Sequence, residues 1–164
     1  GFINVYSEPG IGTTFKIYIP IVERSATEVG SKVSSQPTGG TEVILIAEDD
    51  LMVLKLTSRI VEKAGYTVLT ARNGDEAIEL YKVNRDKIDL LLLDVVMPLK
   101  GGKDVADYVA ASNPEIPVIF TSGYNENAIH KNFVLNDEII LIQKPFAREN
   151  LLETVRTVLD KHKP

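Results

Sequence analysis

Four short strings carry the residues of this chain that could do chemistry: AEDD at 47–50, LLLLDVVMP at 90–98, VIFTSG at 118–123 and IQKPF at 142–146. Each opens on an apolar run and closes on polar residues. A strand buried on both faces reads as continuous Val, Ile and Leu, and parallel sheets are built from such strands. In an open α/β sheet, ligands bind at the carboxyl ends of the strands. The polar closers are Glu48, Asp49, Asp94, Thr121 and Lys144. Were the four runs strands of one parallel sheet, three carboxylates, a hydroxyl and an ammonium would converge on one rim. Hard oxygen donors of that kind suit a divalent cation, and the ammonium and hydroxyl suit a phosphoryl group.

The elements that would position these residues alternate along the chain. Strands are expected at Val43–Ala47, Thr67–Ala71, Asp89–Leu93, Pro117–Thr121 and Ile139–Ile142. Between them the apolar residues recur at helical spacing. Val53, Leu56, Ile60, Val61 and Ala64 share a face of a helix over Leu51–Ala64, which Gly65 can close. Asn73 caps a second helix carrying Ala77, Ile78 and Tyr81. Val105, Tyr108 and Val109 mark a third. A weaker helix is expected at about Asn125–Leu135, and Leu151, Leu152, Val155, Val158 and Leu159 mark the last. Five β-α units imply a parallel sheet covered by helices on both faces.

Ahead of these units lies different material. Phe2–Ser7 and Thr13–Val22 are strand-like and flank Glu8-Pro9-Gly10-Ile11-Gly12, which is turn chemistry. Together they predict a β-hairpin. Arg24–Gly40 is rich in Ser, Thr and Gly and nearly free of large apolar side chains, the composition of a flexible linker. The expected division is a hairpin at 1–22, a linker at 23–40 and an α/β domain at 41–164.

Bulk composition narrows the chemistry. The 164 residues are 44% hydrophobic and 25% charged, both globular values. The net charge of −5 argues against nucleic-acid binding. Residues 1–40 hold equal numbers of acidic and basic side chains, so the acidic excess lies wholly in 41–164. With no cysteine, disulfides, thiol catalysis and thiolate metal sites are excluded. No apolar run reaches transmembrane length and no signal pattern opens the chain, so direct membrane contact is not expected and a cytoplasmic setting is the default.

Residues 42–162 resemble the receiver domain of two-component response regulators. The resemblance rests on Glu48-Asp49 after the first strand, Asp94 followed by Met97-Pro98 and Gly102, Thr121 after the fourth strand, and Lys144-Pro145-Phe146 after the fifth. It implies a flavodoxin-like (βα)5 three-layer sandwich of strand order 2-1-3-4-5. Residues 2–20, with Val5-Tyr6-Ser7-Glu8-Pro9-Gly10-Ile11-Gly12-Thr13-Thr14-Phe15, resemble the end of a histidine kinase ATP-binding domain. A kinase tail, a linker and a receiver in that order resemble a hybrid histidine kinase. The parent would then be a phosphotransferase, of which this chain lacks the catalytic core.

The resemblance implies roles for the residues on the rim. Asp94 is the expected phosphoacceptor, an ionised carboxylate that can take a phosphoryl group covalently. Asp49, Asp94 and the backbone carbonyl of Val96 are expected to hold Mg²⁺, with Glu48 acting directly or through water. Lys144 and Thr121 would bind the phosphoryl group, and the Lys144–Pro145 bond is expected to be cis. The expected donor is the phosphohistidine domain of a histidine kinase, and a histidine phosphotransfer protein is a possible acceptor.

Departures from the family pattern and duller readings stand beside these roles. Leu141 occupies the position where the family often places the aromatic half of its switch. Val96 and Gly123, two past Asp94 and Thr121, offer no side-chain group to a hydrolytic water. Asp50 reads as a helix cap, and His130 and His162 carry no assigned role. Two other function classes remain: a Mg²⁺-dependent aspartyl-phosphate phosphatase, and a non-phosphorylated interaction module. The first needs an Asp two residues after the nucleophile, where this chain has Val96; the second usually loses an acidic residue or the lysine.

Overall fold

The computed structural model describes residues 1–19, 39–123 and 140–162. The chain divides into two compact units, residues 1–34 and 35–164.

The first unit contains a hairpin of β1 (Phe2–Glu8) and β2 (Gly12–Tyr18), paired antiparallel from Phe2 opposite Tyr18 to Glu8 opposite Gly12. Gly10 and Gly12 take φ of 78° and 131° in the turn, where a side chain would be strained. Phe2 and Tyr18 stack with ring centroids 4.4 Å apart. The second strand ends at Tyr18, short of the expected Val22; residues 20–22 lie outside the described residues. Apolar side chains stand exposed on both faces, Val5, Phe15 and Ile17 on one and Phe2, Tyr6 and Tyr18 on the other.

The second unit alternates strands and helices: β3 (Val43–Ala47), α1 (Leu51–Lys63), β4 (Thr67–Ala71), α2 (Gly74–Asn84), β5 (Ile88–Asp94), α3 (Gly102–Ala110), β6 (Val118–Ser122), β7 (Ile140–Gln143) and α4 (Arg148–Lys161). The five strands form one sheet in the order β4-β3-β5-β6-β7, all pairs parallel. Counted from β3, this is the order 2-1-3-4-5 of a flavodoxin-like fold. Strand ends differ from the expected ones by a residue or so. The helix expected at 125–135 and His130 lie outside the described residues.

Helices cover both faces, so the central strands are apolar on both sides, while the edge strand β4 exposes Thr67 and Thr70. Leu45, Ala47, Leu91, Leu93 and Phe120 pack with Ala77, Ile78 and Tyr81 of α2 and Val105 and Val109 of α3. The alternate residues Ile44, Ile46, Leu90, Leu92, Ile119 and Ile142 pack with Leu54 and Val61 of α1 and Leu151, Leu152, Val155, Val158 and Leu159 of α4. One irregularity interrupts this alternation. Val43 pairs with Ile88 but Ile44 pairs with Leu90, leaving Asp89 as an extra residue in β5. Asp89 accepts a hydrogen bond from the Val43 amide at 2.7 Å, which ties the bulge to β3.

Two details of the helices correct the sequence reading. On α1 the buried row is Leu54, Thr57, Ser58 and Val61, while Leu56 is 59% exposed. The small Thr57 and Ser58 let the helix lie close, and the Ser58 hydroxyl donates to the Leu54 carbonyl at 2.7 Å, so burying it leaves nothing unpaired. On α3, Tyr108 is 42% exposed rather than in the core, with the Lys82 ammonium 5.7 Å from its ring centroid.

The helix starts are capped as their residues dictate. Asp50 accepts from the Met52 and Val53 amides at 2.7 and 3.1 Å. Asn73 accepts from the Glu76 amide at 2.9 Å, while Glu76 reaches back to the Arg72 amide at 2.8 Å.

Candidate functional site

The carboxyl ends of β3, β5, β6 and β7 meet at one rim, held by hydrogen bonds that prolong the sheet by one step. The Glu48 amide donates to Ala71 at 3.1 Å, Val95 to Thr121 at 2.9 Å and Lys144 to Ser122 at 2.7 Å. In register, Asp94 lies beside Thr121, and Thr121 beside Ile142. Every polar closer singled out in the sequence therefore reaches the same edge.

Glu48 and Asp94 are buried and Asp49 is exposed beside them. Each of the three offers a carboxylate oxygen, and these oxygens lie within 4.8 Å of one another. Lys144 spans the group, with Nζ 2.5 Å from Glu48 Oε2 and 3.1 Å from Asp94 Oδ2. Burial pushes the Glu48 carboxyl above its ordinary value, and the Asp94 charge adds to that; the Lys144 hydrogen bond and charge oppose it. Asp50 points the other way. Its carboxyl is held below the usual range by the Val53 and Met52 amides it caps, so it serves the helix rather than the rim.

Thr121 is buried one residue before the end of β6, paired in register with Asp94. The Lys144–Pro145 bond is cis. Leu141 is partly buried against the α2–α3 layer, filling with an aliphatic side chain a place an aromatic could take. Val96 is 56% exposed beside the rim, and a side chain on Gly123 would meet nothing within 4 Å. His162 bonds the Val158 carbonyl through Nδ1 at 2.9 Å, at the end of α4.

The loop after Asp94 holds features the sequence did not announce. Leu99 takes φ of 69° and is 78% exposed, a left-handed backbone that a leucine adopts only under constraint. The constraint is visible on either side. Lys100 forms an ion pair with Asp75 at 2.8 Å, and its backbone crosses Gly74 so closely that a Cβ there would overlap the Lys100 carbonyl. Gly102 packs on the Asp94 carbonyl with the same lack of room. Gly102 was visible as part of a motif; Gly74 and the non-glycine at positive φ had no signal.

A family model described as the response regulator receiver domain matches residues 44–156. The chain belongs to the response regulator receiver family. Among relatives of this receiver, the sensor kinase CckA of Brucella abortus is 33% identical over 98% of the chain. The chain spans only 18% of that kinase's length. The response regulator receiver protein CpdR of the same organism is 29% identical over 71% of the chain and 95% of CpdR. Among solved structures, the receiver domain of the hybrid histidine kinase CckA superposes with a TM-score of 0.61 at 31% identity, covering 71% of this chain and 98% of that one. The protein is thus a two-component receiver with an acidic rim. No helix among the described residues is long and apolar enough to cross a membrane.

Proposed function

We propose that this receiver takes a phosphoryl group from a phosphohistidine onto Asp94 and belongs to a hybrid histidine kinase. The observation that carries the first half is the bridge of Lys144 between Glu48 and Asp94 inside a three-carboxylate cluster. The observation that supports the second is that similarity to a sensor kinase runs over 98% of the chain, hairpin and linker included. In this reading residues 1–22 are the end of the kinase's ATP-binding domain and 23–38 the linker.

The donor set fits a hard divalent cation. Asp49, Asp94 and the Val96 carbonyl would hold Mg²⁺, with Glu48 beside them, and a bound ion would supply positive charge against the phosphoryl oxygens. The chain's own residues do the rest. An Asp94 carboxylate oxygen attacks phosphorus, an O–P bond forms, the P–N bond breaks and its electron pair returns to the donor imidazole. Lys144 exchanges a carboxylate for a phosphoryl oxygen, and the Thr121 hydroxyl donates to another. Little covalent assistance is needed, since phosphoryl transfer depends mostly on positioning and charge.

The surface beside the rim suits a helical donor. Leu51 and Met52 at the start of α1 and Val96 after β5 expose apolar side chains within two residues of Asp49, Asp50 or Asp94, and Leu56 is exposed further along α1. A histidine-bearing helix could cover them while presenting its phosphohistidine to Asp94; the same face would serve a histidine phosphotransfer protein. Incubation with acetyl phosphate and Mg²⁺ tests the assignment. One phosphoryl mass is expected on the wild type, and labelling of Asp94→Asn at the same level would sink it.

A further inference from the structure

At the opposite ends of the strands the receiver contains a second built feature. Glu42 precedes β3, Tyr66 precedes β4, and Arg156 reaches them from α4. The Arg156 side chain is 13% exposed, with Nη1 3.0 Å from Glu42 Oε1 and Nη2 2.8 Å from Asp160 Oδ1. Tyr66 is buried beside it. Enclosing a guanidinium is costly, and the Glu42 and Asp160 carboxylates offset that cost.

Gly40 lies against this cluster and Gly39 against Ala64, neither with room for a Cβ. A Cβ on Gly39 would overlap the Ala64 carbonyl. A Cβ on Gly40 would overlap Glu42 and come 2.8 Å from Arg156 Nη1. Gly65, at φ of 99°, passes the Gly40 carbonyl so that its own Cβ would lie 2.8 Å from that oxygen. The sequence reading placed both glycines in the flexible linker; instead they are seated in the receiver, and composition alone could not distinguish a glycine that bends from one that fits.

The two helices that form the seat also reach the acidic rim. α1 starts two residues after Asp49 and ends at Lys63, directly before the Ala64 that holds Gly39. Its 13 residues span about 20 Å at 1.5 Å per residue. α4 starts four residues after Lys144 and carries both Arg156 and Asp160. Each of these helices thus has one end at the rim and carries, or leads directly into, a residue of the seat.

We infer that the Gly39–Gly40 seat couples the state of the acidic rim to the linker that precedes the receiver. The inference rests on the reading of the rim as a phosphoryl acceptor. Before transfer, Lys144 is drawn to Glu48 and Asp94; a phosphoryl group on Asp94 gives it a new oxygen partner. The change is applied at the start of α4, whose Arg156 grips Glu42 beside Gly40. By linkage, whatever the rim does to the seat, the seat does to the rim in equal measure.

Amide hydrogen exchange on the 164-residue chain, with and without Mg²⁺ plus beryllium fluoride as a phosphoryl mimic, tests this. Exchange at 39–42 and 64–67 is expected to change about fivefold or more, the lower end of ordinary coupling. Amides at 48–50 and 94–97 report the rim separately. If those respond and the seat does not, the coupling is overturned while the rim reading stands. If the rim amides are silent, both fall. Reciprocity supplies the variant arm: Gly40→Ala and Arg156→Met should change affinity for the mimic by a similar factor, with Val83→Ser on exposed α2 surface as control. A folded Gly40→Ala with unchanged affinity would overturn the coupling. If the variants fail to fold, the wild-type exchange experiment decides alone.

Discussion

The Lys144 ammonium lies 2.5 Å from Glu48 and 3.1 Å from Asp94, so one cation serves two buried carboxylates. Removing it strands both. Lys144→Met should cost about 3–5 kcal/mol in chelator, as breaking a buried ion pair on one side does. Millimolar Mg²⁺ should recover much of that loss, since an ion bound only by the folded state stabilises it, by about 2.7 kcal/mol at a hundredfold excess over Kd. Urea unfolding in EDTA and in Mg²⁺ measures both. Equal stability of variant and wild type in EDTA would show that the bridge carries no weight.

The two faces of α1 should respond oppositely to substitution. Leu54→Ala removes a buried side chain and should cost about 2–5 kcal/mol. Leu56→Gln changes an exposed one and should stay within about 0.5 kcal/mol, despite the same residue type two positions on. If Leu56 is part of a donor-binding face, Leu56→Gln slows transfer from a phosphohistidine protein while leaving acetyl phosphate labelling intact. Slowing of both would point to the rim instead.

Two glycines near the rim make a matched pair. Gly102→Ala forces a methyl group into the Asp94 carbonyl and should both destabilise the fold and slow labelling of Asp94. Gly123→Ala places its methyl in open space and should leave stability within about 0.5 kcal/mol. Thermal melts with acetyl phosphate labelling would separate them; an unaffected Gly102→Ala would mean the loop after Asp94 shifts freely.

The phosphorylated form should decay over many minutes rather than seconds. Hydrolysis needs a water held in line with the O–P bond, and neither Val96 nor Gly123 presents a group to hold one. Loss of labelled phosphoryl at neutral pH in Mg²⁺ is the measurement. A half-life of seconds would mean that backbone groups or the loop after Gly123 position the water without side-chain help.

Much of this was legible in the residues because apolar runs and their polar ends are dictated by burial on both faces of a parallel sheet. Leu90–Leu93 could be little else than a central strand, and Asp94 at its end little else than a rim residue. The face of α1 was misread because periodicity weighs Leu56 above Thr57 and Ser58. Packing against the sheet preferred two small side chains, and the Ser58 hydroxyl finds its partner locally at the Leu54 carbonyl. Leu99 at positive φ was invisible for another reason. Its conformation is imposed by Lys100 against Gly74 and Asp75, groups distant in sequence. The Lys144–Glu48 bridge was equally hidden, since it needs the relative height of two strand ends.

The extra residue Asp89 has a consequence for how this domain tolerates change. Ile88 faces the α2–α3 layer while Leu90 faces the α1–α4 layer, though in an unbroken strand residues two apart share a face. The bulge resets the parity of β5 below the point where pairing with Ile44 begins, and every residue from Leu90 to Asp94 is counted from there. Insertions or deletions in the turn between α2 and β5 can thus be absorbed before the count starts. The orientation of Asp94 is insulated from the length of the chain that leads to it, whereas one residue gained or lost above Asp89 would turn that carboxylate away from the rim.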